Sequence, residues 1–157
     1  MRNLTMPGIE IRPATRNDLG AILALMADLE TDDQVLGLSA AEAIFERMQS
    51  YPNYTIYVTV AEGKVIGTFS LLIMDNLAHM GAPSGIVEDV AVHSSWRGQG
   101  IGKQMMHFAM QQCQKAGCYK LVLSSNLRRD RAHKFYDELG FQRHGYSFIV
   151  PIIESNQ

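Results

Sequence analysis

Cysteine and long apolar segments are scarce in this chain of 157 residues. The two cysteines, Cys113 and Cys118, are too few for a disulfide framework, and their spacing fits no zinc site. We therefore expect reduced thiols and no bound metal. No apolar segment approaches the ~20 residues that span a membrane, and the N-terminal residues lack the apolar centre of a signal peptide. The sequence predicts a cytoplasmic protein with no membrane contact.

Neither basic nor acidic side chains are in large excess. The chain has 14 basic and 16 acidic side chains, which give a formal net charge of −2 at pH 7. A protein that holds nucleic acid by its phosphates carries an excess of basic residues, so we expect no nucleic-acid partner. Hydrophobic residues make up 46% of the chain and charged residues 19%, which is typical of a globular enzyme. The length favours a single domain over residues 1–157.

Strand and helix patterns alternate in the first third of the chain. Residues 9–12 alternate polar and apolar side chains and predict a short strand. Residues 19–29 have the apolar spacing of a helix, and Ser39 is the expected N-cap of a second helix. The acidic residues 30–33 lie between these helices, and we interpret them as a solvated loop.

A hairpin is predicted in the middle of the chain. Residues 54–61 alternate as a strand, residues 62–64 form the expected turn, and residues 65–74 are the returning strand. The patterns nearer the C-terminus predict a strand at residues 119–125, a helix at residues 128–139, and the last strands at Phe141 and residues 146–153.

Residues 85–117 form the segment around which the rest of the chain is organised. Residues 86–92 are rich in valine and predict a buried strand. Residues 101–116 carry an apolar stripe and predict a helix that ends at Gly117. The turn between them contains three evenly spaced glycines: Gly98, Gly100 and Gly102.

This turn has the features of an anion site. A helix N-terminus presents backbone N–H groups without partners and a partial positive charge, and glycine lets the backbone approach an anion closely. Arg97 and Lys103 flank the glycines and add full positive charges. A diphosphate suits this arrangement better than a single carboxylate does.

Two common phosphate loops do not match the spacing. A Walker loop requires Ser or Thr after Gly-Lys, whereas Gln104 follows Lys103, and Arg97 stands where the first glycine is needed. The dinucleotide fingerprint requires G-x-G-x-x-G, and the even spacing of the glycines here gives G-x-G-x-G.

The turn does resemble the acetyl-coenzyme A loop of the GNAT acyltransferases. In that family a strand that ends in Leu/Val-Ala-Val is followed, four residues later, by Arg/Gln-x-x-Gly-x-Gly/Ala. Here Val90, Ala91 and Val92 end the strand, and the sequence RGQGIG at residues 97–102 follows at that distance. Residues 132–141, AHKFYDELGF, are similar to a second segment of the same family, A-x-x-F/L-Y-x-x-L-G-F. The resemblance extends more loosely over most of the chain, from residue 9 to about residue 151, which is the expected core of the domain.

The resemblance implies an α/β (α+β) domain of the GNAT fold, with a mixed, mostly antiparallel sheet of about seven strands and four main helices. It implies an enzyme that moves the acetyl group of acetyl-CoA to a primary amine by direct attack in a ternary complex, without a metal. Two alternatives stay open: transfer of a longer acyl group, and a non-catalytic sensor that binds acetyl-CoA and regulates a partner. The acceptor is a small molecule or a peptide, and a homodimer is compatible with the sequence.

The family motifs also imply site residues. Tyr136 matches the tyrosine that protonates the departing thiolate, although its spacing alone also fits a core aromatic. Glu88 is the candidate base, because desolvation on a buried strand would raise the pKa of its carboxyl group; a paired structural carboxylate is the alternative. The residues expected to bind the cofactor are Val90, Ala91, Val92, Arg97, Gly98, Gln99, Gly100, Ile101, Gly102, Lys103 and Asn126.

Two positions depart from the family patterns. Members with the spacing N-x-x-A-x-x-x-Y carry asparagine where this chain has Arg129, and Asn126 lies three residues earlier. The contact made by that asparagine therefore differs here. Ribosomal-protein N-terminal acetylases carry a glutamate near the position of Ser124, so the chain does not resemble that subgroup.

Overall fold

A computed structural model of the chain describes residues 6–29 and 35–152. The acidic residues 30–33 lie outside these ranges. No helix in the described ranges is long and apolar enough to cross a membrane. The helices and strands are, in chain order, β1 (Ile9–Pro13), α1 (Leu19–Ala27), α2 (Leu38–Gln49), β2 (Tyr54–Ala61), β3 (Lys64–Met74), β4 (Ser84–Val92), α3 (Ile101–Lys115), β5 (Lys120–Val122) and α4 (Asp130–Glu138).

The strands form one sheet in the order β1-β2-β3-β4-β5. The first four strands pair antiparallel, and β5 pairs parallel with β4. These findings confirm the predicted α/β fold with a mixed, mostly antiparallel sheet. The expected count of about seven strands is wrong for the described residues, where the sheet is 5-stranded. Phe141 and residues 146–152 form no strand because their backbone pairs with no strand in the described chain.

The β2–β3 hairpin follows from its turn residues. Ala61 faces Lys64 in the register, so Glu62 and Gly63 form a two-residue turn, with φ of 52° and 74°. Positive φ at both central residues is the requirement of a type I′ turn, whose twist matches that of the paired strands. The predicted hairpin is therefore confirmed.

Helices cover both faces of the sheet. The rings of Tyr57 on β2 and Phe69 on β3 contact Phe108 of α3, with ring centroids 5.0 and 6.3 Å from that of Phe108. Val58, the next residue of β2, packs instead in a core cluster with Leu19 of α1. Successive side chains of a strand point to opposite faces, so α3 covers one face of the sheet and α1 the other.

The chain divides into two compact units. The first unit, Met1–Leu123, contains the sheet and helices α1 to α3, and the second unit, Ser124–Gln157, contains α4. The single domain expected from the sequence stays a prediction.

A buried carboxylate fixes the entry to α1. Asp18 accepts hydrogen bonds from both terminal nitrogens of Arg12, at 2.7 and 3.0 Å. It also accepts hydrogen bonds from the backbone N–H and the hydroxyl of Thr15. The hydrogen bonds from Arg12 are the largest influence and, despite the burial of the carboxylate, they lower the pKa of Asp18 to about 2.

Replacing Asp18 with Asn should lower the free energy of unfolding at pH 7 by about 1–2 kcal/mol, with allowance for the partly exposed Arg12. The pKa of Asp18 is lower in the folded protein than its ordinary value of 3.8. The stabilisation is therefore present above pH 3.8 and is lost as the pH falls toward 2. Urea unfolding of both proteins as a function of pH measures the difference.

The control for this prediction is Glu42→Gln. Glu42 pairs with Arg16 on an exposed surface, so its loss should change the stability little. The difference in the free energy of unfolding between Asp18→Asn and the wild type should disappear at acid pH. A gap of constant size across the pH range would contradict the electrostatic explanation.

Candidate active site

Strand β4 extends beyond its neighbour β5. The last pair between these strands joins Ile86 to Val122, whereas β4 continues to Val92 and pairs with β3 on its other side. Within the described first unit, no strand pairs with the β5-facing edge of residues 87–92. We call this section the open edge. Unpaired strand edges present backbone N–H and C=O groups to a ligand.

A β-bulge lies within the open edge. The register between β3 and β4 shifts between Thr68 and Ser70, so Phe69 stands opposite two residues of β4, Asp89 and Val90. Asp89 has a φ of 53°, a left-handed conformation that Asp tolerates better than most residues. Such a bulge bends the strand and redirects the backbone groups that follow it.

Glu88 lies immediately before the bulge. Its side chain was expected to be desolvated on the central strand, but it is exposed. Val87 and Ala91 are buried, and in an unbroken strand Asp89 would share their face; instead Asp89 is exposed as well. The expected burial of Glu88 is therefore wrong, since both carboxylates of β4 are exposed. Its role as the base stays a prediction.

The glycine turn leads from the open edge to α3. Gly100 is the N-cap of α3 with a φ of 83°, and a Cβ at this position would meet no atom within 4 Å. Residues 97–100 are exposed, as is Lys103. There is therefore space for an anion in front of the first turn of α3, where backbone N–H groups lack partners within the helix.

Side chains brace the turn from within. The Nδ1 atom of His93 accepts a hydrogen bond from the backbone N–H of Ser95 at 3.1 Å, and Gln99 Nε2 donates to the carbonyl of Ser95 at 2.9 Å. Arg97 Nε donates to the carbonyl of Val92 at 3.1 Å. This bond occupies one nitrogen of the guanidinium group, which has two further nitrogens that donate.

The predicted cofactor residues of the first unit thus follow one another along a single path. The path runs from the open edge through the braced turn to the first turn of α3. It includes Val90, Ala91, Val92, Arg97, Gly98, Gln99, Gly100, Ile101, Gly102 and Lys103.

Tyr136 and Asn126 lie in the second unit. The Tyr136 ring packs edge-on against Phe135 and Phe141, with ring centroids 5.2 and 5.6 Å apart. Burial raises the pKa of Tyr136, and the positive charge of Arg129 opposes this shift. A raised pKa keeps the phenol protonated, which a proton donor requires.

Asn126 shapes the start of α4. Its side-chain oxygen accepts a hydrogen bond from the backbone N–H of Arg128 at 2.9 Å. Its backbone carbonyl accepts one from the N–H of Arg129 and lies 2.8 Å from His133 Nε2. The side-chain oxygen of Asn126 therefore already accepts a hydrogen bond within the second unit. The side-chain NH₂ group has donors that suit the predicted cofactor contact.

Ser70 is a residue that the sequence did not indicate. It is buried on β3, and its hydroxyl donates a hydrogen bond to the carbonyl of Glu88 at 3.2 Å. The only signal in the sequence is a small polar residue inside an apolar strand. Across the described ranges, no three His, Cys, Asp or Glu side chains are placed to share a metal ion.

Comparison with known proteins decides the family. Residues 22–141 match the family described as Acetyltransferase (GNAT) family. The chain belongs to the GNAT family. This finding confirms the resemblance seen in the two motifs, and GNAT enzymes generally use acetyl-CoA.

Several relatives of this GNAT protein are named acetyltransferases. The chain is 29% identical over 136 residues to a glucosamine 6-phosphate N-acetyltransferase of Trypanosoma brucei brucei, covering 87% of this chain and 90% of the relative. It is 30% identical over 154 residues to an aminoalkylphosphonate N-acetyltransferase of Salmonella typhimurium, covering 96% of each. A solved structure of a putative acetyltransferase from Agrobacterium tumefaciens has a TM-score of 0.85 and 31% identity, covering 90% of this chain and 99% of that one.

These matches confirm the predicted activity class. The GNAT protein is an N-acetyltransferase that transfers an acetyl group to an amine. The names of the relatives also favour the enzyme over the non-catalytic sensor.

Proposed function

We propose that this GNAT enzyme binds acetyl-CoA along the open edge of β4 and the glycine turn. The pantetheine arm lies against the backbone of residues 90–92, and the diphosphate lies at residues 97–103. One observation carries this proposal: the open edge leads without interruption into an exposed turn that ends at the N-terminus of α3. An extended ligand arm pairs with such an edge as a strand does, and a diphosphate suits a helix N-terminus.

Two side chains move protons in this proposal. Glu88, exposed beside the bulge, takes a proton from the ammonium group of the acceptor, directly or through water. The free amine then attacks the thioester carbonyl, and backbone N–H groups of the bulge stabilise the negative charge on its oxygen. When the C–S bond breaks, Tyr136 gives its proton to the departing thiolate, and the second proton lost by the amine nitrogen reprotonates the Tyr136 oxygen, directly or through water. The raised pKa of Tyr136 supports this role.

The proposed acceptor is a small molecule that carries both a primary amine and a phosphate or phosphonate group. The two relatives are named for glucosamine 6-phosphate and for aminoalkylphosphonates, so each acceptor combines an amine with a phosphorus oxyanion. A hydrogen bond to a charged group contributes roughly 1.5–3 kcal/mol, which corresponds to at least about ten-fold selectivity.

A panel of matched acceptors tests this proposal. Thiol release from acetyl-CoA is measured with glucosamine 6-phosphate against glucosamine, and with 2-aminoethylphosphonate against ethanolamine. We expect kcat/KM to be at least about ten-fold higher for the member that carries phosphorus. Equal values within each pair would overturn the acceptor class and leave acetyl transfer intact. Butyryl-CoA in place of acetyl-CoA tests the alternative of a longer acyl group.

A homodimer and a cytoplasmic location stay predictions. The homodimer is supported by an apolar surface after α4, since exposed apolar patches commonly form contacts between proteins. The exposed large side chains in this segment are Tyr146, Phe148, Ile149, Val150 and Ile152.

A further inference from the structure

The hydroxyl of Ser70 meets the backbone where the bulge begins. Ser70 is 4% exposed, and its Oγ donates a hydrogen bond to the carbonyl oxygen of Glu88 at 3.2 Å. Glu88 is also its register partner, and this pair is the last one before Phe69 faces two residues of β4. A buried hydroxyl therefore lies at the point where the register shifts.

We propose that Ser70 is a positioning residue for acetyl transfer, because it fixes the bulge that directs the backbone toward the thioester. This inference rests on the proposed site at the open edge. The peptide bond between Glu88 and Asp89 is trans, so its carbonyl and its N–H point in opposite directions. The hydroxyl that holds the Glu88 carbonyl therefore also sets the direction of the Asp89 N–H.

Strand pairing does not hold the two bulged residues of β4. Asp89 and Val90 fall outside the register pairs with β3, and no strand in the described first unit pairs with them on the β5 side. The left-handed conformation of Asp89 is unfavourable for a residue with a Cβ, and it persists only while its surroundings hold it. The hydrogen bond from Ser70 is a restraint of this kind.

Thr68 offers a matched control on the same strand. It is fully buried, and its hydroxyl donates a hydrogen bond to the carbonyl of Tyr57 at 2.9 Å. Tyr57 belongs to β2, so this bond lies on the side of β3 away from β4. Thr68 also borders the bulge, as the register partner of Ala91, but its hydroxyl makes no bond to β4. Removing that hydroxyl therefore costs a buried hydrogen bond of the same kind without removing a bond to the Glu88 carbonyl.

The experiment compares Ser70→Ala, Ser70→Thr and Thr68→Val, with acetyl-CoA as donor and glucosamine 6-phosphate as acceptor. Ser70→Ala should lower kcat about five-fold, because small displacements of the reacting groups slow the reaction. Ser70→Thr keeps the hydroxyl and should recover most of the rate. Thr68→Val should lower the melting temperature as Ser70→Ala does, without the loss in kcat. If Ser70→Ala does not fold, Ser70→Cys, whose thiol is a weak donor, replaces it.

Binding of acetyl-CoA and of CoA, measured by calorimetry, gives a readout that needs no acceptor. Only acetyl-CoA has the thioester oxygen that the bulge contacts, so Ser70→Ala should reduce its affinity relative to CoA, and Thr68→Val should leave this ratio unchanged. A folded Ser70→Ala protein with wild-type kcat and affinity ratio would overturn the positioning role and leave the proposed function intact. Failure of the wild type to bind either compound would overturn both.

Discussion

Tyr136→Phe should lower kcat by ~10² or more while the affinity for CoA stays close to that of the wild type. The phenylalanine ring keeps the packing against Phe135 and Phe141, so the fold should be preserved. The variant removes the proton that, in the proposed mechanism, the phenol gives to the departing thiolate. Because this interaction forms chiefly in the transition state, the loss appears in kcat rather than in binding. Steady-state thiol release and calorimetry measure the two quantities.

Tyr57→Phe is the matched control for this variant. Tyr57 also packs against two phenylalanine rings, and burial raises its pKa as well, but it lies on β2 outside both family motifs. The kcat of the Tyr57→Phe variant should stay close to that of the wild type. The raised pKa of Tyr136 also implies that its ionisation lowers the wild-type rate only above pH 10.0, the ordinary phenol value. Wild-type turnover in a folded Tyr136→Phe protein would show that Tyr136 is not the acid and serves only in packing.

Gly100→Val should weaken CoA binding by about 2 kcal/mol, or roughly 30-fold. Gly100 has a φ of 83°, which a β-branched residue strongly disfavours, so the turn would change shape. The new side chain would also occupy space through which the diphosphate approaches. In the structure a Cβ at this position meets no atom of the chain within 4 Å, so overlap within the protein does not explain a loss of affinity.

Gly117→Val separates this effect from general strain. Gly117 lies beyond the other end of α3, with a φ of 75°, and a Cβ there also meets no atom within 4 Å. Both variants should therefore lose similar stability. Calorimetry with CoA should show normal affinity for Gly117→Val alone. Equal affinities in the two variants would mean that the diphosphate binds elsewhere.

The path of the cofactor residues was predictable because each part is local. Strand β4 ends at Val92 and α3 begins at Ile101, as the valines and the apolar stripe predicted. The turn between them depends on its own glycines rather than on distant contacts. A contiguous strand, turn and helix is the kind of structure that a single sequence specifies well.

The bulge in β4 was not predictable in this way. The extra residue of β4 exists only relative to its partner, because Phe69 on β3 stands opposite two residues. The hydrogen bond from Ser70 to the Glu88 carbonyl depends on the same pairing. Neither feature has a signal within residues 86–92 alone.

The N-cap of α2 and the last strands are two further features that were not predicted correctly from the sequence. Ser39 was the expected N-cap of α2, but Gly37 takes that position, and both residue types are favoured there. The last strands were predicted from their composition, yet a strand forms only where a partner offers hydrogen bonds. In the described chain, Phe141 and residues 146–152 have no such partner.

The strands lie in the sheet in the same order as in the chain, and this order bears on how the protein folds during synthesis. From β2 onward, each new strand pairs with the strand made just before it, and only β1 waits for a partner that is made later. The connections from β2 to β4 are short, which keeps the entropy cost of closing them low and favours rapid folding. Strand β5 joins last, after the crossover through α3. The open edge of β4, where we propose that acetyl-CoA binds, is therefore the growing edge of the nascent sheet.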